Sequence, residues 1–448
     1  MKSVALHTLG CKLNYSETST LAKQFEAKGM KLEEYGRKSD IFVLNTCSVT
    51  DNADRECRQI IRSVLRKNPD TYVIVTGCYA QLQPGEIADI DGVDLILGSK
   101  EKLRLFDYLE NVDVESPSCI FKETGSRIFV SGLDEVSSEI SEAFSADIDS
   151  RTRAFLKIQD GCDYNCTFCT IPLARGGSRS LPVRAVLDNA KKIIDAGYKE
   201  IILTGVNTGD YRYYDSESGG VKKLIDVLYG LDKLGIERIR ISSIEPNLLT
   251  DEIIQLVKTS DKFCRHFHIP LQSGDAEVLK MMRRRYNTGL YRSLIEKLNA
   301  EIPDAGIGVD VIIGFPGETD AYFENTAGFI RSLNISYLHV FSYSQRRNTP
   351  AAEFADKVDI KTRRIRSEIL RSISASKKYD FYAKYIGTEQ DVLFESNMIT
   401  KDGKNYIEGW TSNYIRVRTE YDESLQNKIR KVRLNHINGM GPVECSCV

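Results

Sequence analysis

DGCDYNCTFCTIP, residues 160–172, sets three cysteines on one short loop with the spacing Cys162-x3-Cys166-x2-Cys169. Three thiolates so spaced ligate three irons of a 4Fe-4S cluster and leave the fourth iron open to a small molecule. A structural zinc site would instead close with four ligands, commonly in C-x2-C pairs. The loop follows an apolar run, AFLKIQ (154–159). Five more runs come after it: EIILTG (200–205), RIRISS (238–243), HFHIPL (266–271), GIGVDVIIGF (306–315) and YLHVFSY (337–343). Helix-like stretches lie between them, among them 184–196, 221–234 and 322–333. Strands alternating with helices build a parallel sheet, and six such units imply a full or partial barrel with its site at the C-terminal strand ends. The three-cysteine loop falls at such an end.

Toward the N-terminus lie four more apolar runs, VALHTLG (4–10), IFVLNT (41–46), YVIVTG (72–77) and VDLILG (93–98), with helical patterns at 16–28 and 54–67. They predict an α/β domain with a doubly wound parallel sheet. Cys11, Cys47 and Cys78 each follow one of the first three runs, just past the C-terminal end of a strand, where loops of one sheet edge converge. Gly10 and Gly77 precede two of them and permit tight turns. Two arrangements fit: one converged ligand set, or three separate buried thiols near strand ends. Ser, Glu and Asp crowd 131–150, which reads as a linker or an exposed excursion.

Residues 359–384 read as one long helix. Short strands with turns follow (EQDVLFES, YIEGWTS, YIRVRTE, KIRKVRLNHI), the pattern of a small all-β barrel. The expected division is 1–140, 148–380 and 382–448. Three basic clusters stand out: Arg283, Arg284 and Arg285; Lys361, Arg363, Arg364, Arg366 and Arg371; and Lys428, Arg430, Lys431 and Arg433. Ile365, Ile369 and Ile373 repeat at helical spacing and leave the second cluster as a basic outer face. Such patches suit phosphate contacts, and a plain solvated surface uses the same residues.

The 448 residues carry a net charge of −2 and 42% hydrophobic residues, a soluble globular composition. MKSVALHTLGCKLNYSE lacks a signal-peptide layout and no apolar run is long enough to span a bilayer, so a cytoplasmic protein without a membrane partner is expected. In a reducing compartment, grouped cysteines among eleven bind metal more often than they pair. Cys57, Cys119 and Cys264 read as ordinary thiols, and Cys445 and Cys447 at the tail have no assigned role.

The loop after the first strand of the large domain resembles the radical S-adenosylmethionine (SAM) superfamily. LGCKLNYSE, NTCSVT and TGCYAQ resemble the N-terminal domain of the methylthiotransferase family. The similarity continues through IPLARGGSRS (171–180), LTGVNTGDY (203–211), ISSIEP (241–246), HIPLQSG (268–274), VDVIIGFPGET (309–319) and FSYSQRRNTPA (341–351), and the last ~65 residues resemble the RNA-associated TRAM barrel. The resemblance implies a central radical SAM partial (β/α) barrel. It implies two 4Fe-4S clusters, one on Cys162, Cys166 and Cys169 that binds SAM and yields a 5′-deoxyadenosyl radical, and one on Cys11, Cys47 and Cys78 that holds the sulfur to be inserted. It makes Phe168 an aromatic beside the adenine of SAM, or plain core packing. Thr204, Gly205, Ser243, Glu245, Gln272 and Asp310 become candidate SAM contacts, each equally compatible with a loop or cap role.

GCKLN at 10–14 resembles the branch acting on threonylcarbamoyladenosine next to the tRNA anticodon. The isopentenyladenosine branch usually reads GCQMN there, and the ribosomal-protein aspartate branch GCPKN. The implied partners are the tRNA anticodon stem-loop, whose adenosine flips into the site, a sulfur donor and a reductant such as flavodoxin or ferredoxin. A non-enzymatic iron–sulfur RNA-binding or electron-transfer protein is the alternative of another class. The three-cysteine loop argues against it, because electron-transfer clusters normally have every iron protein-ligated.

Overall fold

IFVLNT and YVIVTG contain almost nothing that needs water, and the strands they form are buried at every position. In the computed structural model, which describes residues 2–109, 125–138, 140–145, 152–217, 219–439 and 441–448, they are the centre of a parallel sheet. Its strands are β1 (Ser3–Thr8), β2 (Lys31–Glu33), β3 (Ile41–Thr46), β4 (Tyr72–Gly77), β5 (Leu95–Leu97) and β6 (Arg127–Phe129), in the order β2-β1-β3-β4-β5-β6. Apolar clusters cover both faces, as a doubly wound sheet requires. The four predicted strands are present. The two edge strands β2 and β6 were not legible, because three residues each, KLE and RIF, carry no periodic signal.

Helix α1 (Lys12–Ala27) begins directly after Cys11, four residues before the predicted start. The helix Asp51–Lys67 is fixed by Thr50, whose side chain accepts from Ala53 N, with acidic residues in its first turn and Arg66 and Lys67 in its last.

All six runs of the large domain are strands. Arg153–Lys157, Glu200–Thr204 and Arg238–Ile241 form one parallel sheet, and His266–His268, Gly306–Ile313 and Tyr337–Ser342 another. A hydrogen bond from Ile244 N to His268 O (3.0 Å) joins their edges into a partial barrel over one continuous apolar core. The open side is flanked by α1 against Arg153–Lys157 and by the helix Ile360–Ala383 against Tyr337–Ser342.

The five C-terminal strands close into a barrel, including Val443–Cys447, which the sequence reading did not foresee. Cys445 is part of its core and Cys447 is exposed. The loop 411–414 of this barrel caps the N-terminal end of the partial barrel: Arg238 donates to Trp410 O (2.9 Å) and Arg240 to Ser412 O (3.0 Å), and Gly306 has no room for a side chain against Asn413 O.

The segment expected as a linker or exposed excursion at 131–150 is, where it is described, part exposed and part packed through Val136 and Ala143. Leu133–Ser138 is helical, and Ser145 N bonds Phe155 O (2.9 Å), adding a short antiparallel edge to the barrel. Residues 146–151, like Cys119, lie outside the described residues. Arg366 is also not on an outer face: it is buried and ion-paired with Glu318 and Asp320 (2.5 and 2.6 Å), acidic partners 46–48 residues away that periodicity does not reveal.

Candidate active site

The three-cysteine loop leaves the barrel by a turn at Gly161 (φ 71°), where an added Cβ would lie 1.9 Å from Gly177 O. Each thiol has one N–H aimed at it. Tyr164 N donates to Cys162 Sγ (3.4 Å), Ile171 N to Cys169 Sγ (3.4 Å) and Arg284 Nη1 to Cys166 Sγ (2.9 Å). Burial pushes the Cys162 thiol up to about 11 and Cys169 up to about 12, and the neighbouring thiols add to both. Three mutually repelling sulfurs supplied with donors are matched to a metal charge, which alone repays their deprotonation. Among the described residues the loop offers no fourth thiol.

A second trio is set at the C-terminal edge of the N-terminal sheet. Cys11, Cys47 and Cys78 follow β1, β3 and β4, which are adjacent strands, so their loops lie side by side. Gly10 (φ 102°) is pressed against Cys47, and a Cβ there would stand 2.6 Å from Cys47 Cβ. Asn14 ties the loops together: its amide donates to Leu9 O (2.8 Å) and Thr46 O (3.0 Å), and its Oδ1 accepts from Arg175 (2.5 Å). Burial and the neighbouring Cys78 push the Cys47 thiol up to about 12. Cys11 is reached by solvent but surrounded on most sides; burial raises its thiol and Arg175 opposes that rise.

Beneath this trio lies a buried ion network. Glu17 holds Lys102 (2.6 Å), Lys157 (3.3 Å) and Arg175 (3.0 Å); Asp160 holds Lys157 (2.8 Å), Arg175 (3.0 Å) and Arg179 (3.5 Å). Burial alone would raise both carboxyls, but the cations hold them below the usual range. Four cations face two carboxylates, so the network carries surplus positive charge where Cys11 and Cys78 stand. That surplus suits an anionic thiolate-ligated group.

Cys169 and the segment just after Cys47 face one space. Thr170, next to Cys169, donates to the carbonyl of Ser48, next to Cys47 (3.3 Å). A cavity of about 240 Å³ is lined by Val49 and Thr50 from one side and by Phe168, Cys169, Gln272 and Asp310 from the other. Gln272 adopts φ 63°, a conformation costly for a side-chain-bearing residue and held by Gln272 N→Asp310 O (2.8 Å). Phe168 packs edge-on to Phe315. Glu245 lies beside the cysteine loop, paired with Arg284; burial raises its carboxyl and Arg284 opposes. The other candidates are placed differently. Thr204 is buried and turns its hydroxyl to Ile202 O (3.1 Å). Gly205 backs onto Gln159, and the Ser243 carbonyl accepts from Thr208 (2.7 Å).

The cavity continues into a surface groove of about 1050 Å³, which shares Thr50, Phe341, Tyr343 and Ser344 with it and is lined farther out by Arg347, Arg363, Arg364 and Arg371. Phe341, 46% exposed, stands at the junction.

Residues 3–98 match the "Uncharacterized protein family UPF0004" and residues 156–330 the "Radical SAM superfamily". A threonylcarbamoyladenosine tRNA methylthiotransferase (MtaB) of Bacillus subtilis is 38% identical over 97% of this chain and 94% of its own length. The chain belongs to the radical SAM methylthiotransferase family. A radical SAM methylthiotransferase uses a 4Fe-4S cluster and SAM, and the loop at 162–169 fits that cluster. The Thermotoga maritima MtaB is 31% identical over 99% of the chain and 97% of its own length. The tRNA-2-methylthio-N(6)-dimethylallyladenosine synthase of Clostridium botulinum is 32% identical over 91% and 88%. Among solved structures, the radical SAM methyltransferase TsrM of Kitasatospora setae shares the fold (TM-score 0.56, 15% identity, 78% of this chain and 77% of that one). No helix among the described residues is long and apolar enough to cross a membrane.

Sequence reasoning named the six cysteines and put Arg284 in a basic cluster, but it did not foresee Arg284's contact with Cys166, nor single out Glu17, Arg175 or Lys12. Lys12 follows Cys11 and is exposed; desolvation and the neighbouring Arg240 and Arg153 lower its ammonium below the ordinary value. Its only sequence signal is its place inside GCKLN.

Proposed function

We propose that this enzyme methylthiolates threonylcarbamoyladenosine in the tRNA anticodon loop. The reading is carried by a cavity that Cys169 lines together with Val49 and Thr50, which closely follow Cys47, and that continues into an arginine-lined groove. The full-length similarity to relatives named for that substrate supports the choice of base. In this proposal Cys162, Cys166 and Cys169 hold the SAM-binding cluster, and Cys11, Cys47 and Cys78 hold a second. The chain divides at 1–140, 148–380 and 382–448 into the part holding the second cluster, the radical part and the RNA-binding part. When bound, the first cluster supplies the electron that cleaves SAM to a 5′-deoxyadenosyl radical able to take hydrogen from an unactivated carbon.

The chain's own residues bind, orient and exclude water. Phe168, Gln272 and Asp310 line the SAM side of the cavity, with Glu245, Ser243, Thr204 and Gly205 behind the same strand ends. Arg284 neutralises Cys166 and Glu245 together. Phe341 offers a stacking face to a base entering from the groove, the usual way a splayed RNA base is held. The reaction also needs a reductant and a sulfur donor.

The test is mass spectrometry of tRNA nucleosides from cells lacking the gene, with and without complementation. Loss of 2-methylthio-threonylcarbamoyladenosine on deletion, and its return with the gene, is the expected result. A change confined to the isopentenyladenosine derivative would move the enzyme to the branch of the Clostridium relative. Unchanged tRNA would sink the reading.

The groove makes a separate prediction. The double variant Arg364→Glu and Arg371→Glu is expected to weaken anticodon stem-loop binding, and to lower the slope of log affinity against log salt by roughly 0.7 per lost phosphate contact. An unchanged slope would remove the groove from the RNA path.

A further inference from the structure

The block FSYSQRRNTPA, 341–351, bonds to both cysteine-bearing regions. It leaves the barrel strand Tyr337–Ser342, and Phe341 to Ser344 line the cavity. Its end returns to the three-cysteine loop, where Ala351 N donates to Thr167 O (2.9 Å), one residue past Cys166. Between these anchors it reaches the N-terminal domain. Ser344 Oγ accepts from Asp51 N (2.9 Å), and Arg346 Nη2 donates to Ser48 Oγ (2.7 Å) and Asp54 Oδ2 (2.5 Å). The Ser48 hydroxyl donates in turn to Asp54 Oδ1 (2.8 Å), closing a triangle of three buried side chains. The turn behind Arg346 is made at Asn348, held at φ 63°, and Thr349 Oγ1 closes it on Arg346 O (2.7 Å).

Ser48 follows Cys47 directly, and its carbonyl accepts from Thr170, next to Cys169 (3.3 Å). The Cys47 loop is therefore gripped twice from the barrel at one residue, on the carbonyl by Thr170 and on the hydroxyl by Arg346. The helix that carries Asp54 does not need that carboxylate as its cap, because Thr50 fills the role. A buried ion pair adds little net stability, since desolvation of both ions offsets their attraction; what it supplies here is a fixed geometry. We propose that Arg346 is a positioning residue that sets the Cys47 loop against the three-cysteine loop, and so ties SAM cleavage at one cluster to sulfur insertion at the other. The inference rests on the two-cluster reading above.

The experiment uses holoenzyme reconstituted with iron and sulfide, matched for iron content and reduced with dithionite, and an anticodon stem-loop carrying threonylcarbamoyladenosine. Three variants are compared: Ser48→Ala, which keeps the Arg346–Asp54 pair; Arg346→Lys, which keeps the charge and loses the fork; and Arg346→Met combined with Asp54→Asn, which strands no buried charge. Formation of 5′-deoxyadenosine and the KM for SAM are expected to stay at wild-type values in all three. Methylthio insertion is expected to fall roughly fivefold in Ser48→Ala, the loss of one hydrogen bond. It is expected to fall roughly 100-fold in the double variant, the usual effect of misplacing reacting groups by about 1 Å, with Arg346→Lys in between. A second readout is electron-spin relaxation of the reduced clusters, which two neighbouring clusters speed in each other. In the double variant it is expected to slow toward that of Cys11→Ala, which keeps one cluster. An equal fall of cleavage and insertion marks a general structural role and overturns the proposal. So does a double variant with wild-type insertion and relaxation. A wild type that methylthiolates nothing on this stem-loop overturns the substrate reading alone, and relaxation then decides on Arg346. A wild type with half the iron and no interaction between clusters overturns the two-cluster reading and this inference with it.

Discussion

Cys169→Ala is expected to reduce 5′-deoxyadenosine formation to background, whereas Cys11→Ala is expected to keep that cleavage measurable and to abolish methylthio insertion. The two variants remove chemically similar thiols from different trios, so they separate the proposed tasks. Cys169 is half-buried, with a single backbone donor at Ile171 N, and its thiol is pushed up to about 12. Two remaining thiolates do not anchor a cluster that needs three, so iron content falls from roughly eight to roughly four per chain. Cys11 lies on the N-terminal sheet, behind Arg175 and its network, and its loss leaves Cys162, Cys166 and Cys169 with their N–H donors intact. SAM cleavage is read by chromatography of the reduced protein without RNA, and insertion by nucleoside mass spectrometry with RNA. Cleavage surviving in Cys169→Ala would refute the assignment of that loop and revive the electron-transfer alternative. Cleavage lost equally in Cys11→Ala would mean that the two trios do not act separately.

Much of this was legible because it is local. A three-cysteine loop after a strand announces itself by spacing. Runs such as EIILTG and GIGVDVIIGF announce themselves by nearly unbroken apolar stretches, which a strand buried on both faces requires, whereas RIRISS interleaves arginines that are buried in ion pairs and backbone contacts. Convergence of Cys11, Cys47 and Cys78 was an inference from strand ends, and the order β1-β3-β4 sets their three loops side by side. What stayed hidden are polar pairings between residues far apart. Arg175 meets Glu17 across 158 positions and Arg284 meets Cys166 across 118. A single charged residue has no period, so a buried arginine reads like a surface one. Arg366 misled for that reason, and Arg283, Arg284 and Arg285 split for it: Arg283 is exposed, Arg284 turns inward, and Arg285 lies over the Tyr164 ring. The cap at the N-terminal end of the partial barrel was hidden too, since Trp410, the chain's one tryptophan, belongs to a domain read separately from the barrel it closes.

Glu17→Gln is expected to be the most destabilising single change outside the apolar core. The carboxylate is almost wholly buried and is the shared partner of Lys102, Lys157 and Arg175, which come from the N-terminal domain and from the barrel. Neutralising it leaves three buried cations with Asp160 alone to face them and Arg179. Removing one member of a buried pair costs about 3–5 kcal/mol, because the stranded charge keeps its desolvation penalty. Asp107→Asn breaks an ion pair with Arg104 (2.8 Å) whose members are both more than half exposed, and is expected to cost less than about 1 kcal/mol. The contrast is read from thermal midpoints at one scan rate. The pH dependence has a definite sign. Glu17 is held well below its ordinary value of 4.5, so its stabilising effect is full above that pH and is lost as pH falls toward the folded-state value. The gap between wild type and Glu17→Gln should therefore be constant near neutrality and narrow below about pH 4.5. Stripping the iron should lower the midpoint of both, since the surplus positive charge then loses the anionic group beside it. A Glu17→Gln midpoint no lower than that of Asp107→Asn would mean that the network does not hold the two domains together.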